Sequence, residues 1–164
     1  MTFFNKMFGK KFDIEHGMNF LKNGDFDSAE VYFKSNLEGN SVAHYGLALA
    51  RFRKDPSNIT VEKASEVGAI FERAVVLDPG FADAYFMGAM AFNTAAGLQL
   101  GAFNKDIALL TSDRLSVVES QVKQAALYFS KAISLNPAFR NIAVKEIALN
   151  EQLKILSDQF RSSL

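Results

Sequence analysis

The chain has 164 residues, 49% of them hydrophobic, which is enough for one domain with its own core. Eighteen basic residues balance eighteen acidic ones, so no overall field attracts nucleic acid or an anionic membrane. Cysteine is absent, which excludes disulfides, thiolate zinc sites and cysteine nucleophiles and suits a cytoplasmic protein. Only three prolines and no long alternation of apolar and polar residues favour an all-α fold. No apolar run reaches the roughly 18 residues that a membrane-spanning helix needs.

Residues 1–11 form a basic and aromatic segment ahead of the first predicted helix. The segment has no continuous apolar stretch and no small-residue cleavage site, so we do not expect a signal peptide. Two interpretations stay open. Residues Phe3 to Phe12 form a short amphipathic helix on a membrane surface, or Phe4 and Phe8 fold back onto the first helices, which is the favoured interpretation.

Helix boundaries follow the apolar periodicity and the capping residues along the chain. Asp13 and Thr60 are predicted N-caps, because their side-chain oxygens accept hydrogen bonds from free backbone N–H groups. Thr111 or Ser112 is predicted to cap the helix that follows. Gly24 supplies the positive φ of a tight turn after the first helix. The predicted helices cover about residues 14–23, 26–37, 41–53, 61–77, 81–93, 113–135 and 138–160.

The segment from 94 to 111 is apolar but irregular. Gly97 and Gly101 interrupt its helical pattern, and residues 104–106 are placed to cap a short helix that ends at Leu110. Three interpretations stay open: the segment lengthens the flanking helices, lays a short helix against the domain, or forms an arm that binds a partner. It holds more apolar side chains than a solvated loop would: Leu98, Leu100, Phe103, Ile107, Leu109 and Leu110.

Two stretches of the chain, 71–81 and 129–139, have the same residue at five equivalent positions. A self-match of this kind is typical of a repeat architecture. Repeat proteins built of helical hairpins mostly bind other proteins on extended surfaces. The matched residues are Phe71, Ala74, Leu77, Pro79 and Phe81 in the first stretch, and Phe129, Ala132, Leu135, Pro137 and Phe139 in the second.

The wider pattern resembles the tetratricopeptide repeat family, whose hairpins of about 34 residues have small residues where helices cross and aromatic residues between them. The resemblance implies a helical solenoid of three repeats at about 12–40, 41–80 and 81–137, followed by a capping helix at 138–164. The third repeat is enlarged by the insertion. The residues that carry the resemblance are Gly17, Phe20, Gly24, Phe26, Ala29 and Phe33; Ala43 to Ala50 with Phe71, Ala74 and Pro79; and Ala84, Tyr85, Ala89, Ala91, Phe92, Ala125, Phe129, Ala132 and Pro137. Asn36 and Val67 depart from the alanines usual at their positions.

In this family the first helix of each hairpin lines a concave groove that holds another protein. These helices are apolar on two faces here; the stack covers one face and a bound ligand would cover the other. Carried over position by position, the resemblance implies that nine residues line the groove: Ile14, Met18, Leu21, Tyr45, Leu49, Phe52, Phe86, Met90 and Asn93.

Relatives that hold the C-termini of heat-shock proteins grip a carboxylate with Lys, Asn and Arg. The corresponding positions of this chain hold Ile14, Met18, Gly46, Asp83 and Met87, which cannot form that clamp. An apolar groove rich in Met and Phe is typical of sites for an amphipathic helix or an extended apolar peptide.

Residues that carry chemistry are sparse. His16 and His44 are the only histidines, and neither has a carboxylate or a second histidine three or four positions later. Nucleophile-elbow, dinucleotide and phosphate-loop motifs are absent. We therefore expect neither enzymatic activity nor a cofactor or metal.

The sequence predicts a cytoplasmic protein-interaction adaptor or chaperone-like scaffold that binds an apolar peptide or helix of a partner protein. The alternative is a self-assembling structural scaffold, in which another copy or a segment of the same chain fills the groove. The two hypotheses differ in the expected oligomeric state, since only the second predicts a homo-oligomer.

Overall fold

Seven α-helices that pack in sequence order make up the part of the chain, residues 12–164, that the computed structural model describes. The predicted all-α class is confirmed. Residues 1–11, with their predicted membrane or fold-back role, lie outside the described residues. The helices are α1 (Ile14–Lys22), α2 (Phe26–Lys34), α3 (Ser41–Lys54), α4 (Val61–Leu77), α5 (Ala82–Lys105), α6 (Ser112–Leu135) and α7 (Phe139–Arg161), with short 3₁₀ turns at Pro56–Asn58 and Ile107–Leu109. Among these residues, no helix is both long and apolar enough to cross a membrane.

The predicted N-caps are confirmed. Asp13 Oδ1 accepts hydrogen bonds from the backbone N–H groups of Glu15 and His16 at 2.9 and 3.2 Å. Thr60 caps α4 and Thr111 caps α6 through their hydroxyl oxygens, each 3.3 Å from the N–H group it accepts. Such caps satisfy donors that the first turn of a helix leaves free.

Helix α2 ends at Lys34 rather than at the predicted Leu37. Ser35 Oγ and Asn36 Nδ2 donate to the carbonyl oxygen of Tyr32 at 2.8 and 2.7 Å. Side chains of this type compete with backbone N–H groups for helix carbonyls and so favour termination. Gly39 then adopts a positive φ of 61° before α3 begins.

Helix α5 continues without a break to Lys105, through most of the segment 94–111. The predicted interruption at Gly97 and Gly101 is wrong, because both glycines lie inside the helix. A glycine costs a helix about 1 kcal/mol relative to alanine, and burial of Leu100 and Phe103 outweighs that cost. Most of the segment 94–111 therefore lengthens α5, and α5 and α6 have 24 residues each. The predicted short helix is reduced to the 3₁₀ turn, where Asp106 Oδ1 accepts from the N–H of Ala108 at 3.0 Å.

The core has two parts, and α7 packs against both. The main core runs from α1 to the start of α7, where Phe139 and Ala143 join it. The second core lies between the lengthened parts of α5 and α6 and the second half of α7. Its buried residues are Ala96, Leu100, Phe103, Leu115, Val118, Val122 and Leu153. The end of α5 and the first half of α6 therefore share a separate core, which the second half of α7 covers.

Candidate functional site: the α3–α5 pocket

The nine residues predicted to line a groove do not share one surface. Four of them are buried: Leu21, Leu49, Phe86 and Asn93 are 5, 2, 8 and 1% exposed. Ile14 is exposed, and the remaining four are half-buried: Met18, Tyr45, Phe52 and Met90. In this structure a partner cannot reach the four buried side chains.

Helix α7 accounts for the burial of Phe86 and Asn93. The ring of Phe139, at the start of α7, stacks on Phe86 with 4.7 Å between ring centroids and 13° between ring planes. Further along α7, Asn93 Nδ2 donates to the carbonyl oxygen of Glu146 at 2.9 Å. One face of α5 that was predicted to meet a ligand therefore packs against α7 of the same chain.

Tyr45 is held by neighbouring aromatic rings. Its ring lies 4.8 Å from Phe81 and 5.8 Å from Phe71, measured between centroids. Burial, followed by the charge of Asp83, raises the pKa of Tyr45 to about 12, against an opposing effect of Arg53. The phenol is therefore neutral at physiological pH and has a packing role.

Phe52 and Met90, by contrast, line one pocket of about 490 Å³, which we call the α3–α5 pocket. The end of α3, the α3–α4 connection and the middle of α5 form its walls. The lining residues are Phe52, Arg53, Pro56, Ile59, Met87, Met90 and Thr94. Its volume falls in the range of about 300–1,000 Å³ that is common for ligand pockets.

The walls of the α3–α5 pocket are mainly apolar. Met87, Met90 and Thr94 stand at i, i+3 and i+7 on one face of α5. The hydroxyl of Thr94 donates to the carbonyl oxygen of Met90 at 2.9 Å, so its hydrogen-bonding capacity is already engaged. Arg53 is the one charged residue among the lining residues. The pocket therefore suits apolar side chains and offers one cationic group at its wall.

Sequence reasoning missed five of the seven lining residues. The resemblance relates Met87 only to the carboxylate clamp, although its spacing from Met90 places both residues on one face of the helix. Pro56 and Ile59 belong to the α3–α4 connection, where helical periodicity does not indicate which way a side chain points. Arg53 and Thr94 have no sequence signal that separates them from ordinary surface residues.

On the other side of α3, a pocket of about 300 Å³ is lined by a network of charged residues. Arg51 Nε donates to Glu30 at 2.9 Å, and its Nη1 pairs with Glu66. Lys54 pairs with Asp27. These ion pairs join α3 to α2 and α4, and the paired charges neutralise one another. We therefore assign the residues of this pocket a structural role rather than a binding role.

His16 is exposed and His44 is half-buried. His16 meets Phe20 and Tyr32 edge-on at 4.8 and 5.1 Å between ring centroids. Burial, and then the positive charge of Arg73, lowers the pKa of His44. Within residues 12–164, no group of three or more histidine, aspartate or glutamate side chains is placed to hold a metal ion.

Comparison of the chain with models of known protein families, with curated proteins and with solved structures finds no match. The chemistry that the α3–α5 pocket offers is therefore argued from its own residues. Those residues offer contact area and one positive charge, and among them there is no pair of groups arranged as nucleophile and base.

Proposed function

We propose that the protein is an interaction module, an adaptor or chaperone-like scaffold, whose α3–α5 pocket holds an apolar segment of a partner protein. The single observation that carries this proposal is the open pocket of about 490 Å³ lined by Phe52, Ile59, Met87 and Met90. In the proposed architecture α1–α2, α3–α4 and α5–α6 are three tetratricopeptide-like repeats and α7 is the capping helix. The proposed role is binding rather than catalysis, without a cofactor.

Burial at equivalent positions supports the repeat assignment. Phe33, Phe71 and Phe129 occupy the same position in the three proposed repeats, and all three rings are buried. Four residues before each of them stands a small or medium apolar residue, respectively Ala29, Val67 and Ala125, and these are buried as well. Equal burial at a fixed spacing is expected where one hairpin design is repeated.

The chemistry of the pocket walls suits a partner that presents apolar side chains. Methionine is unbranched and polarisable, so Met87 and Met90 adapt to the shape of what they contact. Each apolar side chain that a partner buries contributes about 1.5–3 kcal/mol before the cost of ordering it. An amphipathic helix or a short extended peptide supplies two or three such side chains.

Site-specific photo-cross-linking tests the proposal. A benzophenone amino acid replaces Met90 in the pocket or, as a matched control, Val76, an exposed apolar residue on α4. We expect a protein partner to cross-link from position 90 in a lysate of the source cells and not from position 76, and Met87→Glu to abolish the cross-link. Equal products at positions 90 and 76, or none, would contradict the proposal.

A second candidate function is self-assembly, and the outer surface of α7 favours it. Val144 and Ile155 are 60 and 58% exposed, and because they stand three helical turns apart they lie on one face of α7. Sedimentation velocity over a wide concentration range tests this candidate. A self-associating scaffold gives a concentration-dependent oligomer that Ile155→Glu reduces to a monomer, whereas an unchanged monomer at high concentration excludes it.

A further inference from the structure

We infer that the partner segment in the α3–α5 pocket carries an acidic residue beside its apolar side chains, and that this carboxylate pairs with Arg53. The inference rests on the proposed function and specifies the chemistry of the partner. Arg53 is the only charged residue that lines the pocket, and its side chain is exposed.

The three basic residues in the last turn of α3 line two different pockets. Arg51 and Lys54 form ion pairs with Glu30, Glu66 and Asp27 on the side of the charged pocket. Arg53 faces the α3–α5 pocket and takes part in none of the ion pairs between residues 12 and 164. Its guanidinium is therefore available to a carboxylate from outside these residues.

Asp55 and Asp83 lie near Arg53, and neither forms an ion pair with it. Asp55 lines the charged pocket, and both of its carboxylate oxygens accept from Asn58 Nδ2, at 3.0 and 3.1 Å. Asp83 stands in the first turn of α5, one helical turn before Met87, and is not a lining residue. The pocket thus has positive character at the Arg53 end, so a bound segment is expected to place its acidic residue there.

Charge also argues against the chain's own N-terminal segment as the occupant. Residues 1–11 contain Lys6, Lys10 and Lys11 and no acidic residue. Arg53 repels a segment of this composition and attracts an acidic one. An arginine–carboxylate pair of two parallel hydrogen bonds adds orientation as well as affinity.

Peptide selection tests the inference. Random twelve-residue peptides displayed on phage are selected on the immobilised full-length protein, and peptides that also bind Met90→Ser, an uncharged change in the pocket wall, are discarded. A second selection from the same library is carried out on the Arg53→Glu variant. Arg73→Glu reverses the same charge at an exposed position outside the pocket and serves as the control. Thermal unfolding followed by circular dichroism verifies that each variant is folded.

We expect the retained peptides to combine apolar residues with Asp or Glu. Arg53→Glu should weaken their binding about five- to tenfold, as loss of a partly exposed charge pair does, and should itself select peptides with Lys or Arg. Arg73→Glu should change neither the affinity of the retained peptides nor the charge of the peptides it selects. Peptides that depend on Met90 but show no acidic preference would overturn the inference and leave the proposed function standing.

The remaining outcomes identify other occupants. If no peptide depends on Met90, the inference and the proposed function both fail. If such peptides appear only with a full-length Phe4→Ser/Phe8→Ser variant, the chain's own N-terminal segment occupies the pocket, which overturns the inference. If the purified protein forms an oligomer that Arg53→Glu dissociates, the occupant of the pocket is a second copy of the chain. This outcome also overturns the inference.

Discussion

Asn150 Nδ2 donates a hydrogen bond to Asn93 Oδ1 over 2.8 Å, and both side chains are buried. Asn150 Nδ2 also donates to the carbonyl oxygen of Val122 at 2.9 Å, while Asn93 Nδ2 donates to that of Glu146. These bonds join α5, α6 and α7 through polar groups inside the protein. Because buried polar groups are costly without partners, the pair defines one position of α7 along α5.

The asparagine pair gives the first prediction. Asn150→Leu leaves Asn93 Oδ1 buried without a donor, so we expect it to lower the free energy of unfolding by about 1–3 kcal/mol. In Asn93→Leu/Asn150→Leu both polar side chains are gone, and the loss should be smaller than the sum of the single losses. Urea denaturation measures Asn93→Leu, Asn150→Leu and the double variant, and additive losses would contradict the predicted coupling.

Two glycines are predicted to respond to alanine in opposite directions. A Cβ built on Gly46 overlaps the ring of Phe33, which is fully buried between neighbouring helices. Gly46→Ala should therefore cost about 1–3 kcal/mol of stability. Gly101 lies in α5 with no atom within 4 Å of a built Cβ, so Gly101→Ala should stabilise by about 0.5–1 kcal/mol. A urea midpoint that does not fall for Gly46→Ala would refute the close approach at Gly46, and one that falls for Gly101→Ala would refute the open space at Gly101.

The ion pair between Arg161 and Glu119 predicts a pH dependence. Arg161 Nε and Nη2 donate to the two carboxylate oxygens of Glu119 at 2.9 and 2.7 Å, and these bonds hold the pKa of Glu119 below its usual value of 4.5. A carboxyl group with a lowered folded-state pKa stabilises the fold above 4.5, and this contribution is lost as pH falls through the lowered pKa.

We therefore expect Glu119→Gln to lower the urea midpoint at pH 7 and to match the wild type at strongly acidic pH. Glu151→Gln removes an exposed carboxylate on α7 that forms no ion pair within residues 12–164, and it is the control. A difference between wild type and Glu119→Gln that stays constant with pH would exclude the ion pair as its cause.

Burial predicts which groove substitutions the fold tolerates. Leu49→Glu and Phe86→Glu place a charge in the main core, where an unpaired charge costs several kcal/mol. We expect both variants to lose cooperative thermal unfolding. Met90→Glu, at a half-buried pocket wall, should melt close to the wild type. Circular dichroism measures this contrast, and a cooperative transition of Leu49→Glu near the wild-type temperature would contradict the assigned burial.

Features that depend on neighbours within one or two turns were predicted from the sequence. The caps at Asp13, Thr60 and Thr111 are confirmed because a cap requires only a side-chain oxygen next to the first free N–H groups. The all-α class is likewise confirmed, since it follows from apolar periodicity and sparse proline. The repeat architecture stays a prediction that the shared burial of Phe33, Phe71 and Phe129 supports.

The sequence by itself thus determined that the chain is helical, where most helices begin, and that several helices are apolar on two faces. Only the tertiary structure decided what covers each face. Phe86 is buried by Phe139, more than fifty residues later in the chain, while Met90 on the same helix remains at an open pocket. Helical periodicity defines the direction of a side chain but not the distant segment that meets it, because that segment is chosen by the packing of the whole chain.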